Sequence, residues 1–185
     1  MLREATVGHL LRGSGQETEV LLGLRDGCSF LNGIWNGPGG KLEPGESIPI
    51  GLKREVWEEI EVEIDLTSAK HFATADFYHP VPGSVTYTHE WRVHYFRITR
   101  WSGEPRPVEG FRELRWFLLH ALPYEKMVVD QVAWLPLALS HLRNGNGSLL
   151  KIDIFYGDEK LKTVARGQFQ FIEKMSKQKE TDDEH

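Results

Sequence analysis

The fold class this sequence predicts is an α/β sandwich, a mixed β-sheet with one helix on each side. Three observations point there. Short strand-like runs recur along the chain, two segments have helical periodicity, and the two kinds alternate instead of segregating.

The elements follow in order. Residues 5–11 and 19–24 read as strands around the polar turn 13–17, and 26–38, with four glycines and asparagines after position 31, reads as loop. Residues 39–41 form a short extended piece leading into a Pro44-Gly45 turn. Ser47 suits an N-cap and Pro49 a first helical turn, so a helix is expected from Ile48 to Ile60. Strand structure resumes at 62–65, then two long antiparallel strands, 70–78 and 85–98, join across the loop 80–83. In the second of these Trp91, Val93 and Tyr95 alternate with Arg92, His94 and Phe96, so neither face is strongly polar. Another short strand is expected at 115–119 and a second helix at 130–142, broken by 144–147. Residues 149–156 and 160–164 read as a closing hairpin around Gly157-Asp158. The expected organisation is one domain over 1–173, followed by a charged, disordered tail over 174–185.

Composition limits the function classes. The 185 residues are 40% hydrophobic and 26% charged, typical of a globular domain with a substantial core. A net charge of −5 argues against a polymeric nucleic-acid binder or a membrane-surface binder, which need a cationic face. Cys28 is the sole cysteine, which excludes an intramolecular disulfide and suggests a reducing, cytoplasmic setting. The first residues, MLREATVGHLLRG, carry an early acid and no small-residue cleavage site, so no signal peptide is expected. No run approaches the roughly 18 apolar residues of a membrane span.

The chemistry sits between Gly40 and Val62, GKLEPGESIPIGLKREVWEEIEV. On a helix, Glu55, Glu58 and Glu59 are i, i+3 and i+4 neighbours on one face. Such a run is either a solvated acidic face or a site where a cation offsets the mutual repulsion. With oxygen ligands only, Mg²⁺ or Mn²⁺ fits better than zinc. Mg²⁺ held by a few carboxylates usually completes its shell with water and substrate phosphates, which implies metal-assisted attack of water on a phosphoanhydride.

The full spacing resembles the Nudix box, GX5EX7REUXEEXGU, with U a bulky apolar residue. Gly40, Glu46, Arg54, Glu55, Val56, Glu58, Glu59 and Val62 match its fixed positions. Glu61 stands where the family has glycine, a departure that costs roughly 1 kcal/mol if the residue caps the helix in the left-handed conformation. The resemblance implies a Nudix fold, an α/β/α sandwich with a mixed sheet and the Nudix loop-helix. It implies that Glu55, Glu58, Glu59 and the Gly40 carbonyl hold the metal, with Arg54 orienting Glu46 or Glu55. Family members usually add one loop carboxylate, for which Glu109 is favoured over Glu113.

Upstream, WNGPGGK at 35–41 is similar to the WNGxGGK run of MutT homologues that remove oxidised purine nucleoside triphosphates such as 8-oxo-dGTP. By that resemblance Asn36 reads a base edge and Lys41 steadies phosphate. Thr6 faces the base, Arg25 reaches the substrate, Phe77 lines the purine pocket, and Asp130 binds the purine or caps the following helix. Two positions depart: Gln131 replaces the second of two adjacent acids, and Val128 replaces a stacking tryptophan. Stacking contributes roughly 1–3 kcal/mol per base, so base preference is affected more than reaction type. The implied reaction is hydrolysis of a nucleotide, a small-molecule partner, to a nucleoside monophosphate and pyrophosphate. Alternatives are a pyrophosphatase for dinucleoside polyphosphates or ADP-ribose, suggested by Tyr78 and Pro80, and a non-catalytic nucleotide-sensing Nudix domain. Isoprenoid diphosphate isomerase chemistry would need more acid/base residues than Cys28.

Overall fold

The computed structural model describes residues 2–27, 31–143, 148–158 and 163–172. The elements are β1 (Arg3–Arg12), β2 (Glu19–Arg25), β3 (Trp35–Asn36), α1 (Ile48–Ile60), β4 (Glu63–Ile64), β5 (Lys70–Pro80) and β6 (Tyr87–Ile98). They continue with β7 (Trp101–Ser102), β8 (Phe111–Leu118), α2 (Gln131–Arg143), β9 (Leu149–Tyr156) and β10 (Val164–Ile172). One mixed sheet has the order β10-β9-β5-β6-β1-β2-β3, with β8 also pairing β2, and β4 and β7 form a separate ribbon. Within the sheet β1 runs parallel to β6 and β5 parallel to β9.

Strand alternation divides the core in two. Leu10 points toward α1, where it meets Leu52, Val56, Ile60, Phe96 and Ile98. Its neighbour Leu11 points the other way and joins Trp134, Leu135, Ala138 and Leu139 of α2. Each leucine, isoleucine, valine or phenylalanine among them contributes roughly 1.5–3 kcal/mol when fully buried.

What positions the site is a split in the sheet. β1 and β2 pair only at Leu11↔Val20 and Arg12↔Glu19, beside their turn, and then separate. The segment 38–42 fills the opening: Thr6 N–H donates to the Gly40 carbonyl at 2.9 Å, Gly8 N–H to Pro38 at 2.8 Å, and Leu42 N–H to Glu4 at 2.9 Å. This close backbone approach requires glycine. A Cβ on Gly37 would lie 2.5 Å from the Gly8 carbonyl oxygen, and one on Gly39 (φ 153°) would lie 2.0 Å from that of Thr6.

Helix α1 has the expected bounds. Ser47 is extended and Pro49 sits in the first turn, although the Ser47 side chain makes no capping bond. Glu61 adopts the left-handed conformation (φ 52°, ψ 39°), and its N–H donates to the Trp57 carbonyl at 2.9 Å. Its carboxylate also pairs with Arg106.

Three local expectations are corrected. The loop 26–38 contains β3, because Trp35 and Asn36 lie opposite Leu24 and Gly23 of β2. The sequence does not mark the ribbon strand β7, which pairs with β4 and packs Trp101 against the α1-side core and the Trp116 ring. The closing hairpin's second strand is Val164–Ile172, not 160–164, of which 160–162 lie outside the described residues. β10 is mostly exposed, so no apolar face marked it, and its register on β9 holds it in place. The expected break at 144–147 and the tail from 174 also lie outside the described residues, as does Cys28. Among the described residues, no helix is long and apolar enough to cross a membrane.

Candidate active site

The carboxylates of α1 form a network organised by two arginines. Arg54 reaches across the loop, donating from Nε and Nη2 to the two oxygens of Glu46 at 2.9 and 2.8 Å. Its Nη1 donates to Glu55 and Glu58, each at 2.9 Å, and its Nη2 to the Lys41 carbonyl at 3.1 Å. The planar two-pronged contact with Glu46 ties the turn 43–46 to the helix. Hydrogen bonds from Arg54 hold the Glu46 carboxyl down to about 2. Glu46 is therefore a fixed anion occupied by Arg54.

Glu59 is the buried member, 7% exposed. It accepts from the Gly39 N–H at 2.7 Å and from both terminal nitrogens of Arg25, whose Nη2 also donates to the Gly39 carbonyl at 2.8 Å. Arg25 lies over the Phe111 ring. Burial pushes the Glu59 carboxyl up to about 7 against the opposing pull of Arg25 and the Gly39 N–H. Burial also raises Glu55. Glu55 packs against Gly40 so tightly that a Cβ there would lie 2.4 Å from its Oε2. Glu58 is the open member, with its side chain 45% exposed.

This donor set fits a hard divalent cation. Every donor is oxygen, two carboxyls are destabilised as anions by burial, and the glycine backbone of residue 40 abuts one of them. Among the described residues no three acids already converge on one point: Arg54 Nη1 gathers Glu55 and Glu58, while Arg25 engages Glu59. Glu109 is exposed on the segment running along the end of α1, where Val108 N–H donates to the Glu59 carbonyl at 3.0 Å. Glu113 instead pairs with Arg115 on β8.

A cavity of about 480 Å³ opens beside this network. It gathers Arg25, Asn36, Gly39, Gly40, Lys41, Phe77 and Asp130 into one lining. Thr6 belongs to it too, but its side chain is fully buried and its hydroxyl has no partner among the described residues. Alternation places Thr6 on the side of Gly8, whose Cβ position meets Val56 and Leu52 of α1, and leaves Ala5 and Val7 facing the cavity.

The far wall was only partly legible. Asp130 is 2% exposed, and its two oxygens accept from Trp134 Nε1 at 2.9 Å and the Tyr156 hydroxyl at 3.1 Å; burial raises its carboxyl. Asn36 Oδ1 accepts from the Gly37 N–H at 2.9 Å and from Gln131 Nε2 at 3.3 Å. The backbone donor fixes the orientation of the Asn36 amide, which in turn fixes that of Gln131. Trp91, Val93, Tyr95 and Tyr156 complete the wall and were not singled out from sequence. For the first three, the signal was their period-two alternation along one strand. Tyr78 packs elsewhere, stacked between Phe155 and His89, and is absent from the lining.

A split mixed sheet between two helices, with a glycine loop held against an acid-rich helix, defines a Nudix-type phosphoanhydride hydrolase. The NUDIX domain model matches residues 2–138, and the chain belongs to that family. It is 32% identical over 128 residues to the oxidized purine nucleoside triphosphate hydrolase of Danio rerio, covering 69% of this chain and 76% of that one. Identity to the Mus musculus protein of the same name is 33% over 124 residues, covering 67% and 74%. The fold is similar to the crystal structure of a MutT protein from Bacillus halodurans, with TM-score 0.66 and 23% identity, covering 91% of this chain and 97% of that one.

Proposed function

We propose that this Nudix hydrolase cleaves a purine nucleoside triphosphate, with oxidised forms such as 8-oxo-dGTP preferred, to a nucleoside monophosphate and pyrophosphate. Its role would be sanitation of the cytoplasmic nucleotide pool, preventing damaged bases from entering DNA. One observation carries the reading: a single cavity runs from Asn36, Phe77 and Asp130 to Gly39, Gly40 and Lys41, at the edge of the α1 carboxylates. The named activity of the vertebrate relatives supports the same substrate class.

Glu55, Glu58, Glu59 and the Gly40 carbonyl would hold Mg²⁺ or Mn²⁺, with Glu109 the candidate for an additional ligand. When bound, the ion neutralises charge on the phosphates and acidifies the attacking water. The chain's own groups do the rest. Asn36 and Asp130 orient the base, Phe77 packs against it, and Lys41 and Arg25 offset phosphate charge. Arg54 holds Glu55 and Glu58 in register, and a carboxylate of the cluster receives the water's proton. Against dinucleoside polyphosphates stands the position of Tyr78, which is stacked outside the cavity.

The test is a Mg²⁺-dependent hydrolysis panel of 8-oxo-dGTP, dGTP, dATP, ADP-ribose and Ap4A with product identification. The expected result is highest kcat/KM on an oxidised purine triphosphate, releasing pyrophosphate. Faster turnover of ADP-ribose or Ap4A, or release of orthophosphate, overturns the proposal.

A further inference from the structure

A second cavity, of about 500 Å³, lies at the other end of the α2 side of the sheet. Its lining shares no residue with the substrate cavity. On β1 the first cavity takes Ala5 and Val7 and the second takes Leu11 and Arg12, with the buried His9 between them. Its size is within the usual range for small-molecule sites.

The chemistry of this lining is one-sided. Among the described residues it holds two arginines and no Asp or Glu. Arg12 is matched, donating to Glu19 at 2.7 Å and lying over the Trp116 ring. Arg97 is not. It has no carboxylate partner among the described residues, and its Nε is buried without a hydrogen bond. Two hydroxyl residues share the lining with it, Ser14, whose side chain makes no capping bond, and Thr99; both are exposed, so their hydroxyls are open to a ligand. The remaining hydroxyl, on Thr18, donates to the Gly15 carbonyl at 2.9 Å. A partly buried cation without a counter-charge is costly, and the cost disappears if an anion occupies the space.

We infer that this cavity is a second ligand site, with Arg97, Ser14 and Thr99 receiving the phosphate group of a small organic phosphate. A guanidinium fork alone satisfies a carboxylate; the two extra hydroxyls match the additional oxygens of phosphate. Leu11, Leu119 and Trp101 supply the apolar wall for the organic part. Inorganic phosphate shares the recognition chemistry, binding more weakly because it leaves that wall uncovered.

The test follows the Trp101 indole N–H by NMR during titration with adenosine monophosphate, inorganic phosphate and acetate. The expected order of affinity is monophosphate, then phosphate, then acetate, with Arg97→Met weakening the first two by about tenfold or more. Thr99→Val, which keeps the shape, gives a several-fold loss and stands as an independent reading should Arg97→Met not fold. Asn36→Ala, which alters only the substrate cavity, leaves the Trp101 titration unchanged. The inference is overturned if neither phosphate shifts Trp101, if acetate binds as well as phosphate, if folded Arg97→Met or Thr99→Val titrates like wild type, or if Asn36→Ala removes the signal. None of these outcomes depends on which nucleotide is hydrolysed.

Discussion

Gly40→Ala isolates the junction between the glycine loop and the acidic helix. The new Cβ would stand 2.4 Å from Glu55 Oε2, 2.7 Å from Oε1 and 2.6 Å from Cδ, where ordinary contact begins at 3.4 Å. Restoring ordinary contact takes a retreat of the carboxylate of about 1 Å. The backbone tolerates the change, since Gly40 is not among the residues with positive φ. The three nearest atoms all belong to the end of a flexible side chain, so the shift falls first on the Glu55 carboxylate. Gly→Ala also removes freedom from the unfolded chain, worth about 0.4–1 kcal/mol in the opposite direction. A misplacement of about 1 Å in a reacting constellation costs on the order of 10²-fold in rate, equivalent to about 2.7 kcal/mol of barrier. The expected result is a kcat/KM lower by about two orders of magnitude, a Mg²⁺ titration shifted to higher concentration, and a thermal midpoint close to wild type. Pyrophosphate release and a melting curve on the same sample measure all three. Wild-type turnover at unchanged Mg²⁺ dependence would refute the reasoning, and so would collapse of the fold.

Four further outcomes are expected. Glu58→Gln lowers turnover by about 10²–10⁴-fold with the fold intact, checked by single-turnover kinetics beside circular dichroism. Asn36→Ala changes the ranking among purine triphosphates by about 1–3 kcal/mol in transition-state terms while leaving the Mg²⁺ midpoint in place; equal slowing of every nucleotide counts against a base-reading role. Glu61→Gly relieves the left-handed cap and raises stability by up to about 1 kcal/mol, less whatever the exposed Arg106 pair contributes, in urea unfolding at constant activity. His9 makes one separable contribution to the pH dependence: burial lowers its pKa from 6.5 to about 4, so the unfolded state binds the proton first. Its contribution is intact above pH 6.5, falls by about 3 kcal/mol as pH drops to 4, and levels off below, because both states are then protonated. A pH series of wild type against His9→Leu measures this; parallel curves between pH 7 and 4 exclude it.

The parts of the molecule legible in sequence are those governed by neighbours in the chain. Helix α1 has the expected bounds because the extended backbone at Ser47, Pro49 in the first turn and the apolar spacing of Leu52, Val56 and Ile60 are local properties. The acidic face made by Glu55, Glu58 and Glu59 is likewise a consequence of helical period. The glycines at 37 and 39 were visible as a motif, but the reason for them was not: each lies against the backbone of β1, about thirty residues earlier. β3 and β7, two residues each, carry no period and become strands where a partner strand presents itself.

Long-range geometry set the remainder. Whether Glu46 and Glu59 were ligands, partners or surface acids depended on where Arg54 and Arg25 could reach, and Arg25 lies 34 residues before Glu59. Asp130 looked like a cap or a pocket acid; its bonds to Tyr156 and Trp134 place it in the buried wall. Thr6, expected to face the base, has a fully buried side chain on the α1 side of its strand, a fact of pleat and register that composition does not carry. The chain alone thus settled which chemical groups are present and which helix bears them, since these follow from residue type and local period. Tertiary structure decided which groups are paired, which are buried and which face the cavity, because charge pairing and desolvation are properties of neighbours in space.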